Sequence, residues 1–450
     1  MTHTGVIPGL SVLLALFCLA SCIPTDNTLG SALVPTSQDI TIKTAVLDLP
    51  LEETRTMADL QSCVSNGVTV GNIGTEFYSE GLLSVTSTVD SVSWGTNPVV
   101  KRVYLSLIRD TTLVLQDDQL YVPQNIYVHR LNFELDSTHV NGAVDRFKTA
   151  YYDPEPISTG GSIYTGGEAW AVELKKEIGE QLLRIPMETR DSAELFMKQF
   201  YGFCLRGDYP DDPRVFPDKE GRLSLFDLTT SFLILSWEYT NDEGNRMTSL
   251  AYFSLGSKYT VNLYHTLKAA PDIRDGITVQ GLTGSKPYVK ASQVKRAIQE
   301  WAASQQIPES ELVIAKATVE FPFEYEGDRT QFDHYASTLY PCRKTTVNHA
   351  PYYSPISEIN NTELENGAID RSLLQYKSNI SIWLQNLLRK QDSEITAEDD
   401  LWFMPTYSFY NSTTGQTYYF ADNFYYTQTR LNGTGDTRHP VLRLTYSVLK

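Results

Sequence analysis

The chain has few of the residues that carry redox, metal-binding or nucleophilic chemistry. Its 450 residues include 5 cysteines and 7 histidines, without a C-x-x-C pair or two histidines at the spacing of a metal site. It also lacks the glycine-rich phosphate and dinucleotide motifs, the G-x-S-x-G elbow and the H-E-x-x-H motif. These absences argue against the common hydrolase, metalloenzyme and nucleotide-dependent classes. We therefore expect a protein that is not an enzyme, with no catalytic residue, no cofactor and no ligated metal.

Runs of acidic residues leave two alternatives open. The acidic runs are Asp117–Asp118, Asp211–Asp212 and Glu398–Asp400, and the last two could take part in a structural Ca²⁺ site, although neither follows the EF-hand spacing. A glycosidase needs two carboxylates facing each other across a cleft at ~5–9.5 Å, which neighbours in one loop do not provide. In a chain this acidic, such runs are typical of solvated turns.

Basic residues are also scarce. The chain carries 37 Lys and Arg against 54 Asp and Glu, a formal net charge of −17. Such a balance argues against nucleic acid and anionic membrane surfaces as partners. Because 41% of the residues are hydrophobic and 11% are aromatic, the sequence predicts a folded protein rather than a disordered one.

The N-terminal stretch lacks charge altogether. Residues 5–20 hold no charged side chain, and Leu19, Ala20, Ser21 and Cys22 form the pattern of a bacterial lipobox. This predicts a lipoprotein signal peptide over residues 1–21, with lipid attached to Cys22 and Cys18 discarded. An uncleaved anchor is the alternative, since the first four residues include no Lys or Arg. Membrane contact would then run through the lipid on Cys22.

The three remaining cysteines are far apart in the sequence. Cys63, Cys204 and Cys342 share no motif and are odd in number. Buried free thiols are the expected state, and one disulfide with one free thiol is the alternative.

Alternating apolar residues dominate the rest of the chain. The stretch at 230–255 contains two apolar strands joined by the turn-forming Asn241–Asn245, which predicts a hairpin. Helical spacing is confined to short segments around Ile178, after Asp191 as N-cap, around Ile298 and around Leu384. The pattern predicts a mainly β fold of two tandem, jelly-roll-like β-sandwich domains with a few short peripheral helices. We expect a flexible tether at 22–36, a first domain at 37–275 and a second domain at 285–450.

An aromatic cluster between residues 402 and 426 is the best binding candidate. Exposed rings on a β-sandwich can stack on sugars or anchor a protein partner. The alternative is that these rings form the core of the second domain and shield its sheet edge. The candidate contact residues are Trp402, Tyr407, Tyr410, Tyr419 and Tyr425.

Several segments carry a family resemblance. "GNIGTEFYSEGLLSV", "TVQGLTGS" and "ESELVIAKATV" occur in an order similar to that of the Bacteroidota lipoproteins grouped as domain of unknown function 4270. The resemblance implies a lipidated, β-rich protein of the outer membrane, at the cell surface rather than on the periplasmic face. It supplies no catalytic residues. Only Asp26 provides the acidic character expected after a surface-export lipid cysteine.

Three functions are consistent with these observations. The first is a non-catalytic binding or interaction module whose ligand is a glycan or another surface component. The second is an accessory scaffold subunit bound to an outer-membrane β-barrel protein in an assembly or transport complex. The third is a glycan-active hydrolase.

Overall fold

The computed structural model describes residues 42–56, 62–63, 66–73, 77–88, 92–110, 123–136, 151–159, 163–208, 222–266, 272–347, 350–360, 365–422 and 426–449. The predicted signal peptide, the lipobox with Cys22, and the tether lie outside these residues. The protein is mainly β, with 53% of residues in strands and 18% in helices, and its antiparallel sheets are sandwich-like. The predicted mainly β, sandwich-like fold class is therefore confirmed.

Twelve of the described strands lie in the first part of the chain, and the first two of them precede the strands that build the first core. They are β1 Lys43–Asp48, β2 Glu53–Thr56, β3 Ser62–Cys63, β4 Gly67–Ile73, β5 Phe77–Ser87, β6 Thr96–Arg109, β7 Gln124–Arg130, β8 Ile163–Tyr164, β9 Ala169–Glu173, β10 Phe203–Gly207, β11 Leu223–Thr240 and β12 Arg246–Thr266. The later strands are β13 Ile277–Gln280, β14 Ser285–Val289, β15 Leu312–Pro322, β16 Leu339–Val347, β17 Ala350–Pro355, β18 Asn366–Asp370, β19 Gln375–Asn379, β20 Leu401–Asn411, β21 Gln416–Ala421, β22 Gln428–Leu431 and β23 Val441–Val448.

The described helices are short. They are α1 Lys176–Arg184, α2 Met187–Arg190, α3 Ala193–Gln199, α4 Ala291–Ser304, α5 Gln331–His334 and α6 Ser381–Arg389. Helices α1, α3, α4 and α6 fall where the apolar spacing predicts them. The N-cap of α3 is Ser192, whose Oγ accepts from the backbone NH of Leu195, and not the predicted Asp191. A serine hydroxyl one position later satisfies the same free NH groups.

Strands β3 to β12 form one unit, here called the N-terminal unit. Its main apolar core is built by residues between 68 and 255. The long strands β11 and β12 hold it together, because β11 pairs with both β4 and β6 while β12 pairs with both β11 and β5. Register shifts interrupt β11 after Asp227 and β12 after Leu255. Such bulges let one strand pass from one sheet layer to the other. The fully buried Trp237 and Phe253 fill the space between the layers.

The predicted hairpin between β11 and β12 is confirmed. The Asn241 side chain accepts from the NH groups of Glu243 and Asn245 at 3.1 and 2.8 Å, which closes the turn. Gly244 adopts a φ of 81°, a value that residues with a side chain rarely adopt.

A second core, the C-terminal unit, joins two facing sheets. One sheet has the order β1-β23-β15-β19-β18, and the other has the order β17-β16-β20-β14-β2 with β21 added beside β20. Rings meet across the gap, since the centroids of Phe321 on β15 and Phe403 on β20 are 4.8 Å apart. Helices α4 and α6 add Ile298 and Leu384 to the same core. Their apolar faces therefore close the sandwich from one side.

The first strands of the chain belong to the C-terminal unit. β1 pairs with β23 over six residues, and β2 pairs with β14. Leu49 and Leu51, between these two strands, are buried in the second core. The predicted first domain at 37–275 is therefore wrong for residues 43–56. Local periodicity identifies such segments as strands but carries no information on which distant sheet they join.

The described cysteines agree with the expectation of buried thiols. Cys204 and Cys342 are free and fully buried. Burial in an apolar environment raises the pKa of both thiols above the ordinary value. They are structural side chains, whereas the side chain of Cys63 lies outside the description.

A core variant tests the assignment of the N-terminal strands. Replacing buried Leu49 by Ala removes apolar contacts and should lower the free energy of unfolding by about 2–4 kcal/mol. Hydrogen exchange measured by mass spectrometry should rise in β15 and β23 and stay unchanged in β11 and β12. Val46→Ala is the matched control, because Val46 is 53% exposed on β1 and should leave exchange unaltered. Increased exchange in β11 instead would contradict the assignment.

Candidate functional site

The structure separates the predicted aromatic contact residues into three environments. Trp402 is 7% exposed and packs against Tyr288 and Tyr353, with ring centroids 4.9 and 5.4 Å away. It is a core residue, so its prediction as a surface contact is wrong. Tyr410 is 63% exposed on the hairpin formed by β20 and β21, and Tyr425 lies outside the described residues.

Tyr407 and Tyr419 line one cleft, here called the aromatic cleft. Its volume is about 410 Å³, within the range typical of small-molecule sites. Most of its lining comes from residues 335–338, the second half of β20, the end of β21 and the approach to β22, and Ile359 and Asn366 complete it. The lining residues are Tyr335, Ala336, Ser337, Thr338, Ile359, Asn366, Pro405, Thr406, Tyr407, Ser408, Tyr419, Asp422, Tyr426 and Thr427.

Hydrogen bonds fix the segments around the cleft. The Thr338 hydroxyl donates to the carbonyl oxygen of Thr406 at 2.6 Å, which ties residues 335–338 to β20. The Tyr335 hydroxyl donates to the carbonyl oxygen of Arg430 at 3.1 Å, and the NH of Ala336 donates to Thr429 Oγ1 at 2.9 Å. The rings therefore project from backbone that the protein holds in place without a ligand.

Tyr407 is oriented from its own sheet. Its ring stacks on Phe420 of the paired strand β21, with centroids 5.4 Å apart. Burial and the nearby Asp422 carboxylate raise the pKa of the Tyr407 hydroxyl, which is therefore a neutral hydrogen-bonding group at physiological pH. A fixed ring with a neutral hydroxyl can offer both an apolar face and a polar contact.

Most side chains that line the cleft are polar but uncharged. Among the described residues, Asp422 is the one charged lining side chain, and its backbone NH donates to the carbonyl oxygen of Pro405 at 2.8 Å. Thr427 Oγ1 is buried and has no hydrogen-bond partner among the described residues. An unpaired buried hydroxyl is costly unless water or a ligand group satisfies it.

Behind the cleft lies the loop Gly281–Gly284 with the buried side chain of Lys286. The Lys286 ammonium donates to the carbonyl oxygens of Leu282 and Gly284, each at 3.1 Å. Burial lowers the pKa of Lys286 from 10.5 to about 7, and the Asp422 carboxylate offsets part of that shift. A cleft residue and a fully buried amine are thus electrostatic neighbours.

A second cavity of about 290 Å³ lies beside α4, α6 and β15. Its amide side chains already have partners, because Gln385 Nε2 donates to the carbonyl oxygen of Ile314 at 2.8 Å and Gln299 Nε2 contacts the Glu309 carboxylate at 3.2 Å. The aromatic cleft combines rings with an unsatisfied hydroxyl, so it is the stronger candidate site.

The acidic run at 398–400 has structural partners. Asp399 forms an ion pair with Lys390 at 2.7 Å. Asp400 accepts hydrogen bonds from the Ala291 NH at the start of α4 and from the Tyr288 hydroxyl. Burial and the Asp400 carboxylate together raise the pKa of Tyr288 to about 12. No group of three or more His, Cys, Asp or Glu suited to a metal occurs among the described residues. The pairs Asp117–Asp118 and Asp211–Asp212 lie outside them.

Sequence reasoning missed Tyr335, Asp422, Thr427 and Lys286. Tyr335 is about 70 residues from the aromatic cluster, and the fold alone brings it to the cleft. Asp422 falls inside the cluster and Thr427 directly follows it, but their sequence context does not distinguish them from ordinary polar loop residues. Lys286 sits in "GSKPYV", where a lone lysine in a strand predicts a solvated side chain.

Comparison with known proteins adds no assignment. No protein-family model matches this chain, and no curated protein matches it. The resemblance to domain of unknown function 4270 therefore stays a prediction. Among the described residues, no helix has the length and apolar character needed to cross a bilayer.

The buried amine predicts a distinctive pH dependence. Because the pKa of Lys286 falls from 10.5 to about 7 on folding, the unfolded chain binds the extra proton between these values. The contribution of Lys286 to stability should therefore rise with pH across this window, by up to about 1.4 kcal/mol per pH unit. The measurement is urea unfolding at pH 7.5, 8.5 and 9.5 for the wild-type protein and Lys286→Met.

The free-energy difference between the two proteins should grow with pH in favour of the wild type. Lys290→Met, which removes a partly exposed lysine paired with Glu52, controls for general charge effects. A difference that stays constant across the three pH values would rule out a strongly lowered pKa.

Proposed function

We propose that this chain is a lipid-anchored, non-catalytic binding protein of the outer membrane whose aromatic cleft takes a neutral, hydroxyl-rich ligand such as a short saccharide. The observation that carries the proposal is the convergence of Tyr407 and Tyr419 with the Thr427 hydroxyl, which has no hydrogen-bond partner in the described part of the chain, in one cleft. Aromatic rings bind the apolar faces of sugar rings, and hydroxyl side chains bind their edges.

The charge of the cleft supports a neutral ligand. The described residues that line it include no Lys or Arg, and the one charged side chain among them is the Asp422 carboxylate. Phosphate and carboxylate ligands are recognised by Arg, Lys or helix N-termini, which this lining does not offer. The net charge of −17 further disfavours an anionic ligand.

The same lining argues for binding rather than hydrolysis. Glycoside hydrolases use two carboxyl groups at ~5–9.5 Å. Asp422 is the single carboxylate among the described residues of the aromatic cleft, and a tyrosine kept neutral by its raised pKa is no substitute for an ionised nucleophile. The cleft is therefore suited to holding a glycan.

The anchoring part of the proposal rests on the sequence "LASC" at residues 19–22. Lipid on Cys22 would place the folded units at the membrane through the tether, at the cell surface as the family resemblance implies. Two or more acyl chains on one N-terminal cysteine give stable anchoring.

Saccharide binding tests the cleft. Isothermal titration with a panel of neutral hexose, pentose and N-acetylhexosamine oligosaccharides should identify a ligand of the wild-type protein. Tyr407→Ala should weaken its binding about tenfold or more, ~1.4 kcal/mol, because the stacking ring is lost. Tyr407→Phe should retain most of the affinity.

Tyr410→Ala is the matched control, since it removes an exposed ring from the same strand outside the cleft. Uronic-acid oligosaccharides provide the anionic comparison and should bind more weakly than their neutral counterparts. Equal loss of affinity in Tyr407→Ala and Tyr410→Ala, or no binding of any neutral oligosaccharide, would contradict the proposed cleft function.

Lipid attachment has its own test. Cys22→Ser removes the thiol that accepts the lipid, so the protein should leave the membrane fraction and lose the acyl mass from its N-terminal peptide. Cys18→Ser is the control and should remain lipidated, because Cys18 lies within the discarded peptide. Membrane retention of Cys22→Ser with an intact N-terminus would indicate an uncleaved anchor.

A further inference from the structure

The two units of the chain meet at a small apolar cluster, here called the seam. Its members from the N-terminal unit are Ile73, Phe77, Leu223 and Tyr264, and its members from the C-terminal unit are Leu282 and Tyr426. Phe77 is central, with ring centroids 5.0 Å from Tyr426 and 5.8 Å from Tyr264. The seam is fully desolvated, since each of these side chains is buried.

Tyr426 belongs to both the seam and the aromatic cleft. It lines the cleft beside Asp422 and Thr427, and its ring also packs against Phe77 of the other unit. A ligand in the cleft would therefore occupy the space next to a ring whose position is set by the seam. In close-packed surroundings, a shift of one such ring requires its neighbours to shift as well.

The loop Gly281–Gly284 links the same two places through its backbone. The NH of Gly281 donates to the carbonyl oxygen of Thr427 at 2.7 Å, and Leu282 inserts into the seam. Leu282 has a φ of 51°, which a residue with a side chain adopts at a cost unless its surroundings impose it. The Lys286 side chain stabilises this backbone conformation by donating hydrogen bonds to the carbonyl oxygens of Leu282 and Gly284.

The loop cannot relax easily on its own. A Cβ at Gly284 would lie 2.4 Å from Cβ of Gln280, so the chain is tightly packed on itself there. The Gln280 side chain also accepts from the NH of Ser285 at 3.2 Å. Loop and cleft segment thus form one connected body that contacts the N-terminal unit through Leu282 and Tyr426.

We infer that ligand binding in the aromatic cleft is coupled to the docking of the two units at the seam, through Tyr426 and the loop Gly281–Gly284. The inference rests on the proposed binding function of the cleft. Ligand occupancy would hold Tyr426 against Phe77 and so tighten the seam. By thermodynamic reciprocity, loosening the seam weakens ligand binding, even though no described residue of the N-terminal unit lines the cleft.

The test uses two matched phenylalanine variants of the full chain. Phe77 and Phe203 are both fully buried in the N-terminal unit, but only Phe77 belongs to the seam. Phe77→Leu should weaken binding of the oligosaccharide identified with the wild-type protein by about fivefold or more. Phe203→Leu, with a comparable loss of packing, should leave the affinity within about twofold of wild type.

Hydrogen exchange gives the reciprocal readout. Saturating oligosaccharide should slow exchange at residues 77–80 and 262–266 of wild type, although these residues are outside the cleft. Wild-type affinity in Phe77→Leu, or no change in exchange at those residues while Tyr407→Ala still loses the ligand, would overturn the coupling and leave the cleft function standing. A wild-type protein that binds no oligosaccharide would overturn both.

Discussion

The burial of the Lys286 ammonium is the constraint on which the arrangement of the two units depends. A buried amine is tolerated only when its protons find acceptors, and the carbonyl oxygens of the loop Gly281–Gly284 supply them. That requirement fixes the loop, and the loop presents Leu282 to the N-terminal unit. A polar side chain thereby determines how an apolar contact is made.

The chain path strengthens this arrangement. β1 and β2 build edges of the C-terminal unit before the chain enters the N-terminal unit, and the chain returns at β13. The N-terminal unit is consequently inserted in the sequence between strands of the C-terminal unit. The pairing of β1 with β23 joins residues about 400 positions apart, and contacts of such long sequence separation slow folding because the chain entropy of the closed loop is lost first.

Much of the secondary structure could be predicted from the sequence, because period-2 alternation and turn residues act locally. The hairpin at Asn241–Asn245 and the helices around Ile298 and Leu384 depend on side chains a few residues apart. The sheet that β1 joins could not be predicted from the sequence, since an alternating strand fits several sheets equally well. The same reason applies to the seam, where Phe77, Leu282 and Tyr426 come from three distant segments.

In the candidate site, too, the sequence predicts some features of single residues while the fold alone decides others. Trp402, Tyr407 and Tyr410 lie on one strand, yet one is core, one lines the cleft and one is in solvent. Aromatic composition predicts that rings are present but not which neighbours cover them, because that depends on the partner strands β16 and β21. β16 with β17 covers Trp402, whereas Tyr407 lines the cleft beside Asp422. The Tyr407 ring is held in place by stacking on Phe420, and it lines the cleft, whereas Tyr410 does not. For this reason Tyr407 outranks its more exposed neighbour Tyr410 as a contact residue.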